Sequence, residues 1–155
     1  EILVTRDEPT LLEKLVESAV YLGKSNYGLL MLLNGSSNDF ESAASWNLPE
    51  AWSKKNWKKW SNWINTSVVI SGKTLLIQED TLKQLEMGSL CRSAAVLPIM
   101  LDQKVIGSFL LVREMVVPFE KDTLSFLKVL ADYASISLVN VRSPFSFLFK
   151  INVGS

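Results

Sequence analysis

Residues 93–142 constrain the fold most, because they predict two adjacent strands followed by a long helix. The strands Ser93–Leu101 and Lys104–Arg113 are strongly apolar, and only Asp102 and Gln103 separate them. A connection of two residues makes two strands antiparallel neighbours. Strands this apolar cannot lie open to water on both faces, so we expect another layer of structure to cover them.

The helix predicted at residues 119–142 is apolar over more than half of its circumference. One apolar stripe is enough to cover a sheet, and this helix offers Leu124, Leu127, Leu130, Ala131, Ala134, Leu138 and Val141. A second apolar zone lies beside that stripe and consists of Phe126, Val129, Tyr133 and Ile136. The excess predicts a further partner, which is the first helix, a second copy of the domain, or both. We expect these four side chains to form a dimer interface.

The rest of the chain alternates between helices and strands. We predict helices at residues 8–22 and 50–71, a short helix at residues 80–88, and strands at residues 27–34, 40–46 and 74–78. Asp7 and Asp80 are the expected caps of the first helix and of the short helix. The resulting order, α-β-β-α-β-α-β-β-α, predicts an α+β domain with a central antiparallel sheet.

Several absences in the composition exclude classes of function. Histidine is missing, which removes the commonest general base and metal ligand. The sequence also has no phosphate-binding glycine loop and only one cysteine, so we predict a domain that is not an enzyme and needs no cofactor or metal. With 16 basic and 16 acidic residues, no global charge favours nucleic acid. No apolar run reaches the ~18 residues of a membrane span, and the lone cysteine fits the cytoplasm.

Four segments in a fixed order carry a resemblance to a known family. Residues 71–80 read Ser-Gly-Lys-Thr-Leu-Leu-Ile-Gln-Glu-Asp, a glycine-lysine turn, a short strand and an acidic stop. Residues 93–99 combine a serine, an apolar strand and a proline, residues 105–111 place a glycine after two apolar residues, and residues 119–132 open a closing helix. Together these segments resemble the GAF domain, a small-molecule sensing module. The nearest rival is a PAS-type sensor, but the long closing helix and the helix before the first strand favour GAF.

The resemblance implies a fold and a role. The fold is GAF-like and related to PAS, with helices packed on one face of the sheet and a ligand-cavity side formed by a helix and loops. The whole chain, residues 1–155, is then one sensory domain with its core at about 8–142 and a tail at 143–155 of unclear order. Because the chain does not begin with methionine, we expect it to be cut from a longer protein that carries an output domain.

The best-known ligands of this family do not match the residues present. Bilin-binding and haem-binding members use histidine, or a cysteine in a setting unlike that of Cys91. The cyclic-nucleotide signature has no full match, and members that reduce methionine sulfoxide need several cysteines. The resemblance therefore implies a sensory domain of a histidine kinase, cyclase or transcription regulator, with an unknown small-molecule ligand.

Tryptophans supply the first candidate ligand-binding residues. Trp60 and Trp63 share a predicted helical face, and Trp46 ends the second strand, so the three could form an aromatic wall over a cavity. The alternative is that these rings are ordinary core packing. A third reading places the lysine-rich tryptophan helix on a membrane surface.

Polar residues near the third strand supply the other candidates. Asp80, Arg92 and Ser93 would lie at the mouth of the cavity, where Arg92 could bind a carboxylate or phosphate through its planar fork. Arg92 could equally pair with a surface acid. Cys91 is either a redox-sensing thiol or a small buried hydrophobe.

Two functions remain open from the sequence. The first is a non-catalytic, homodimeric sensory domain that binds a small molecule and signals through its terminal helices. The alternative is a dimerisation or scaffold module with a vestigial pocket.

Overall fold

The computed structural model of the chain describes residues 8–37, 39–49, 52 and 54–142, with backbone only for 54–59. The helices are α1 (Glu8–Leu22), α2 (Lys54–Ser71), α3 (Glu79–Gln84) and α4 (Lys121–Arg142). The strands are β1 (Tyr27–Leu33), β2 (Phe40–Trp46), β3 (Leu75–Ile77), β4 (Ser93–Leu101) and β5 (Lys104–Arg113).

The five strands form one antiparallel sheet in the order β2-β1-β5-β4-β3. The predicted hairpin between β4 and β5 is present, and its turn residues Asp102 and Gln103 have φ values of 50° and 65°. Positive φ at both positions gives a turn whose twist matches that of the flanking strands. At the other end of the sheet, β1 lies between β2 and β5, so its backbone is paired on both sides.

One face of the sheet is covered by α1 and α4. In α1, the apolar residues recur every three or four positions, and Leu12, Leu15, Val16, Ala19 and Val20 are buried. They pack with α4 and with inward-facing residues of the sheet such as Leu30 and Phe109. We call this the α1/α4 core.

The opposite face is covered by α2, α3 and the segment after α3. Trp60, Ile64 and Val68 of α2 are fully buried and pack against Leu29 and Met31 of β1. Because β1 contributes alternate residues to two cores, its sequence is apolar without interruption. This arrangement confirms the predicted α+β fold, a central antiparallel sheet with helices on one face and a helix and loops on the other.

The short helix differs from its prediction in its start, its cap and its end. The short helix begins at Glu79, and the residue before it, Gln78, is extended and makes no side-chain cap. Asp80 therefore lies inside the first turn and is not the cap, because the chain turns into α3 directly after the last paired residue of β3, Ile77. The helix ends at Gln84, well before Gly88, since Glu86 adopts a φ of 58°.

Two of the long helices begin later than predicted. α2 starts at Lys54 and α4 at Lys121, two residues beyond the expected Phe119. Phe119 precedes the helix, and its buried ring packs against the guanidinium of Arg113. The expected cap Asp7 and the tail at 143–155 lie outside the described residues.

By length and composition alone, α4 meets the requirement for a membrane span, with a mean hydropathy of 1.3 over its most apolar window. In the fold, however, its residues Leu127, Ala131, Ala134 and Leu138 pack in the α1/α4 core. The apolar composition of α4 comes from having this buried face and an exposed apolar face together.

Candidate functional site

A stripe of apolar side chains on α4 is open to solvent in this structure. Phe126, Val129, Tyr133 and Ile136 are 59–67% exposed, and we call them the α4 stripe. The buried residues of α4 lie on the other side of the helix, so α1 and the sheet leave the stripe uncovered. The apolar excess that the sequence predicts for this helix therefore lies on the side of α4 that faces solvent.

The spacing within the α4 stripe is three, four and three residues. This is the a/d spacing of a helix that pairs with another helix. The next position in the series is Asn140, which is also exposed. At the end of α4, Arg142 Nε lies 3.4 Å from Glu8 Oε1, an ion pair that ties the end of α4 to the start of α1.

A groove lies at the β3 edge of the sheet, on the side of α4. Its volume is about 360 Å³. On one side it is bounded by β3 and α3. On the other side it is bounded by residues 114–120, which connect β5 to α4 and which we call the link. The residues that line the groove include Leu76, Glu79, Asp80, Arg92, Ser93, Val116, Val117 and Phe119. We call it the edge groove. It brings together three of the six ligand-binding residues expected from the sequence, namely Asp80, Arg92 and Ser93.

The side chain of Arg92 is held in the edge groove by an ion pair with the carboxylate of Glu79. Its Nε donates to Glu79 Oε2 at 2.7 Å, and this bond holds the pKa of the Glu79 carboxyl below its ordinary value. The bond matches the alternative reading of Arg92 as one half of a surface ion pair. In the described part of the chain, the guanidinium makes no other hydrogen bond, so its Nη groups remain able to bind an incoming oxygen.

The far wall of the edge groove is the link that leads into α4. Ser93 Oγ donates to the carbonyl oxygen of Val117 at 3.1 Å. Arg113 Nη1 donates to the same oxygen at 3.1 Å and to that of Pro118 at 2.9 Å. The link is therefore fixed through its carbonyl groups by β4 and β5 together.

Arg113 also holds the end of α1. Its Nη2 and Nε donate to the carbonyl oxygen of Gly23 at 2.8 and 3.3 Å, and its guanidinium stacks 3.9 Å above the Phe119 ring. The side chain is buried, and this desolvation lowers the pKa of the Arg113 guanidinium. Sequence reasoning missed this residue, although a charged residue ending an otherwise buried strand was a visible signal.

The predicted tryptophan wall does not form. Trp60 is fully buried, with its ring centre 5.0 Å from that of Trp52, whereas Trp63 is 43% exposed. Trp46 lies opposite Gly28 on the sheet face that carries α1, where it lines a shallow depression beside Val20. The three candidates therefore occupy the core, the surface and the opposite face, and the alternative of core packing describes Trp60.

A second, larger cavity lies between β2 and α2. Its volume is about 850 Å³, and its walls include Leu29, Phe40, Leu48 and Trp52 together with Asp39, Glu41 and Ser61. Trp52 is fixed there by donating its Nε1–H to the carbonyl oxygen of Met87 at 2.6 Å. This β2–α2 cleft contains none of the six residues expected to bind a ligand.

Cys91 is a buried thiol and not an activated one. Its Sγ–H donates to the carbonyl oxygen of Met87 at 3.3 Å, and burial raises the pKa of Cys91 from 9.0 to about 11. The neighbouring Arg92 does not activate the thiol, because its guanidinium pairs with Glu79. The environment of Cys91 is that of a small core residue and not that of a redox sensor.

We expect Cys91 to react with a disulfide reagent at pH 8 at least ~100-fold more slowly in the folded protein than in urea, because two pKa units remove that much thiolate. The unfolded thiol loses its proton first as pH rises, so this group lowers the free energy of unfolding between pH 9.0 and about 11. Absorbance of the released thiol measures the rate. The Cys91→Ser variant, which has no thiol, is the blank, and rapid labelling of the native protein would contradict the burial.

Among the described residues, no group of three or more His, Cys, Asp or Glu side chains could hold a metal ion. The charged groups of the edge groove are one guanidinium and two carboxylates, which suit recognition of a polar ligand.

Comparison with known proteins finds a matching family model and similar solved structures. A family model described as "GAF domain" matches residues 7–138. No curated protein matches the chain. The GAF domain of a phosphoenolpyruvate-protein phosphotransferase from Acinetobacter is similar in structure, with a TM-score of 0.71 and 15% identity over 87% of this chain and 84% of that one.

Two further solved structures are similar. A GAF domain/HD domain protein from Geobacter sulfurreducens has a TM-score of 0.70 and 15% identity, covering 92% of this chain and 98% of that one. The GAF domain of a two-component sensor histidine kinase from Bacillus halodurans has a TM-score of 0.66 and 18% identity, covering 88% and 97%. At these identities the likeness extends to the fold alone.

Proposed function

The chain belongs to the GAF domain family, and from this premise we propose that it is a non-catalytic sensory domain of a signal-transduction protein. In this proposal the domain is cytoplasmic, forms a homodimer through the α4 stripe, binds a small molecule in the edge groove and controls an output domain on the same parent chain. A similar fold occurs in the GAF domain of a two-component sensor histidine kinase, which is consistent with such a parent protein.

The observation that carries the proposal is the α4 stripe. Four large apolar side chains in helical a/d spacing are exposed on a helix whose other face is fully occupied by the core. A second copy of α4 is the partner that fits best, because a two-fold axis would bring identical stripes together. Asn140 continues the series, and a single polar residue at such a position fixes the register of a helix pair.

The edge groove supports the sensory part of the proposal. Its wall at Val116–Phe119 is the link that leads directly into α4, so a molecule in the groove would touch the segment that positions the stripe. A ligand shifts a conformational equilibrium only through different affinities for the two states. Contact with this link provides a physical route to such a difference.

A second candidate function is a dimerisation or scaffold module with a vestigial pocket. The observation that favours it is that Trp60, Ile64 and Val68 of α2 are buried in the core, so this face of the helix supplies packing and not the predicted aromatic wall of a cavity. In this case α4 pairing is retained, but no small molecule alters stability or pairing.

The dimer is tested by charged substitutions in the α4 stripe. We expect the wild-type domain to sediment as a dimer, and the double variant Phe126→Glu/Tyr133→Glu to be a monomer with an unchanged circular dichroism spectrum. Burial of two aromatic side chains predicts a rise in the dimer dissociation constant of at least ~100-fold. Analytical ultracentrifugation measures it over a concentration series.

The matched control is Lys128→Glu, which adds negative charge to the same helix on an exposed position outside the stripe. This variant should remain a dimer. A wild-type domain that stays monomeric at all concentrations, or a double variant that pairs as well as wild type, would refute the proposed interface.

A further inference from the structure

We propose that the edge groove binds a small zwitterion with an apolar side chain, of the kind represented by an aliphatic or aromatic α-amino acid. The inference rests on the proposed sensory function and adds the chemical class of the ligand. It follows from three properties of the groove: its paired charges, its exposed apolar wall and its size.

The charges in the groove are of both signs. Arg92 supplies one positive group, while Glu79 and Asp80 supply two negative groups. A simple anion that approached Arg92 would be repelled by both carboxylates, and a simple cation would be repelled by the guanidinium. A ligand with a carboxylate and an ammonium group satisfies both, with its carboxylate on the Nη groups of Arg92 and its ammonium on Asp80.

The geometry of the Arg92–Glu79 pair supports this division of roles. Glu79 Oε2 accepts from Arg92 Nε and lies 4.0 Å from Lys83 Nζ, so Glu79 is already partnered. Asp80 follows Glu79 on α3 and is exposed, with no hydrogen bond or ion pair to another residue of the described chain. Asp80 is therefore the carboxylate that is available to an ammonium group.

The apolar wall accounts for the side chain of the ligand. Leu76, Val116 and Val117 are 51%, 54% and 39% exposed, and all three line the same groove. Large apolar side chains that gather around polar groups are typical of a ligand site. An aliphatic or aromatic side chain laid across them would remove this surface from water.

The size of the groove limits the ligand. A volume of about 360 Å³ is near the lower end of the range of roughly 300–1,000 Å³ for small-molecule sites. This space suits a single amino acid better than a nucleotide or a tetrapyrrole. The ligand would contact Val117, whose carbonyl oxygen is already bound by Ser93 and Arg113 next to the start of α4.

The test compares three probes that differ only in their charged groups: L-leucine, 4-methylpentanoate without the ammonium, and 3-methylbutylamine without the carboxylate. Each is titrated into the isotope-labelled full chain, and amide shifts are followed by NMR. We expect L-leucine to shift amides at residues 76–80, 92–93, 116, 117 and 119. Each truncated probe should bind at least ~10-fold more weakly, because one charged group of the groove loses its partner.

Two substitutions assign the two ends of the ligand. Arg92→Gln should abolish the preference for L-leucine over 3-methylbutylamine, and Asp80→Asn should abolish the preference over 4-methylpentanoate. Lys104→Gln removes a charge at the β4–β5 turn, away from the groove, and should change neither preference.

Other results would overturn the inference. These are equal binding of a truncated probe, no binding of L-leucine, shifts confined to the β2–α2 cleft, or affinities that neither substitution alters. They would leave the sensory proposal standing if another class of metabolite raised the melting temperature. The sensory proposal itself fails separately if the stripe does not pair and no metabolite in a broad panel changes stability.

Discussion

Replacing Arg113 with methionine should lower the free energy of unfolding by about 4 kcal/mol, which corresponds to about 10 °C in melting temperature for a chain of this size. The guanidinium donates to the carbonyl oxygens of Gly23, Val117 and Pro118 and stacks on Phe119. Methionine fills a similar volume but donates to none of these oxygens. Those of Gly23 and Val117 then keep one donor each, from Ser25 and Ser93, and that of Pro118 loses the donor it had. Urea unfolding followed by circular dichroism measures the change.

The control for Arg113 is Arg92→Met, which removes an exposed arginine with a single ion pair. This change should cost less than about 1 kcal/mol. The loss of stability in Arg113→Lys should lie between these two values. Its ammonium group keeps the positive charge but cannot donate hydrogen bonds to Gly23 and to the link at the same time. An Arg113→Met protein as stable as wild type would mean that water replaces these hydrogen bonds without loss.

The second large effect is expected at Gly107, in the middle of the sheet. A Cβ at this position would lie 2.6 Å from the backbone oxygen of Met31 and 2.8 Å from Leu32 Cδ2. The backbone atom cannot move without breaking the pairing of β1 with β5, so Gly107→Ala should destabilise the fold by about 3 kcal/mol or more. Thermal unfolding monitored by tryptophan fluorescence measures the loss.

Gly35 provides a matched control for the same chemical change. A Cβ added at Gly35 meets no atom within 4 Å, and its φ is not positive. Gly35→Ala should therefore be neutral or stabilise slightly, by up to about 1 kcal/mol, through the unfolded chain. Equal destabilisation by both substitutions would show that the close approach at Gly107 is relieved by movement of β1.

The fold was predictable because its elements are marked locally. Helix α1 shows the periodicity of one buried face and ends before a glycine, and β4 and β5 are joined by two turn residues. The α4 stripe was predictable for the same reason, since the width of the apolar face of a helix follows from the sequence of that helix alone. These features can be recognised without knowing which segments of the chain pack against each other.

The ligand site was predictable only in part, because its geometry depends on non-local contacts. The side on which Trp46 lies is set by pairing with Gly28 beyond a register shift at Leu30 and Met31, which no pattern within β2 reveals. Trp60 and Trp63 are three residues apart on α2, yet the contact zone with the sheet is narrow enough to bury one and expose the other.

Arg113 and the edge groove show the same limit. The partners of Arg113 lie at Gly23 and at the link before α4, and the walls of the groove come from three separate parts of the chain. A sequence pattern identifies an arginine at the end of a strand but not the carbonyl groups that converge on it.

The place of β1 between β2 and β5 has a consequence for synthesis of the chain. Tyr27 pairs with Val112, so a ribosome must extend the polypeptide for several seconds after β1 emerges before its second neighbour exists. During that interval the apolar segment at residues 29–33 has only β2 to pair with. One edge of β1 therefore stays unpaired until β5 has been made, and an unpaired apolar strand edge is where a folding intermediate is prone to aggregate.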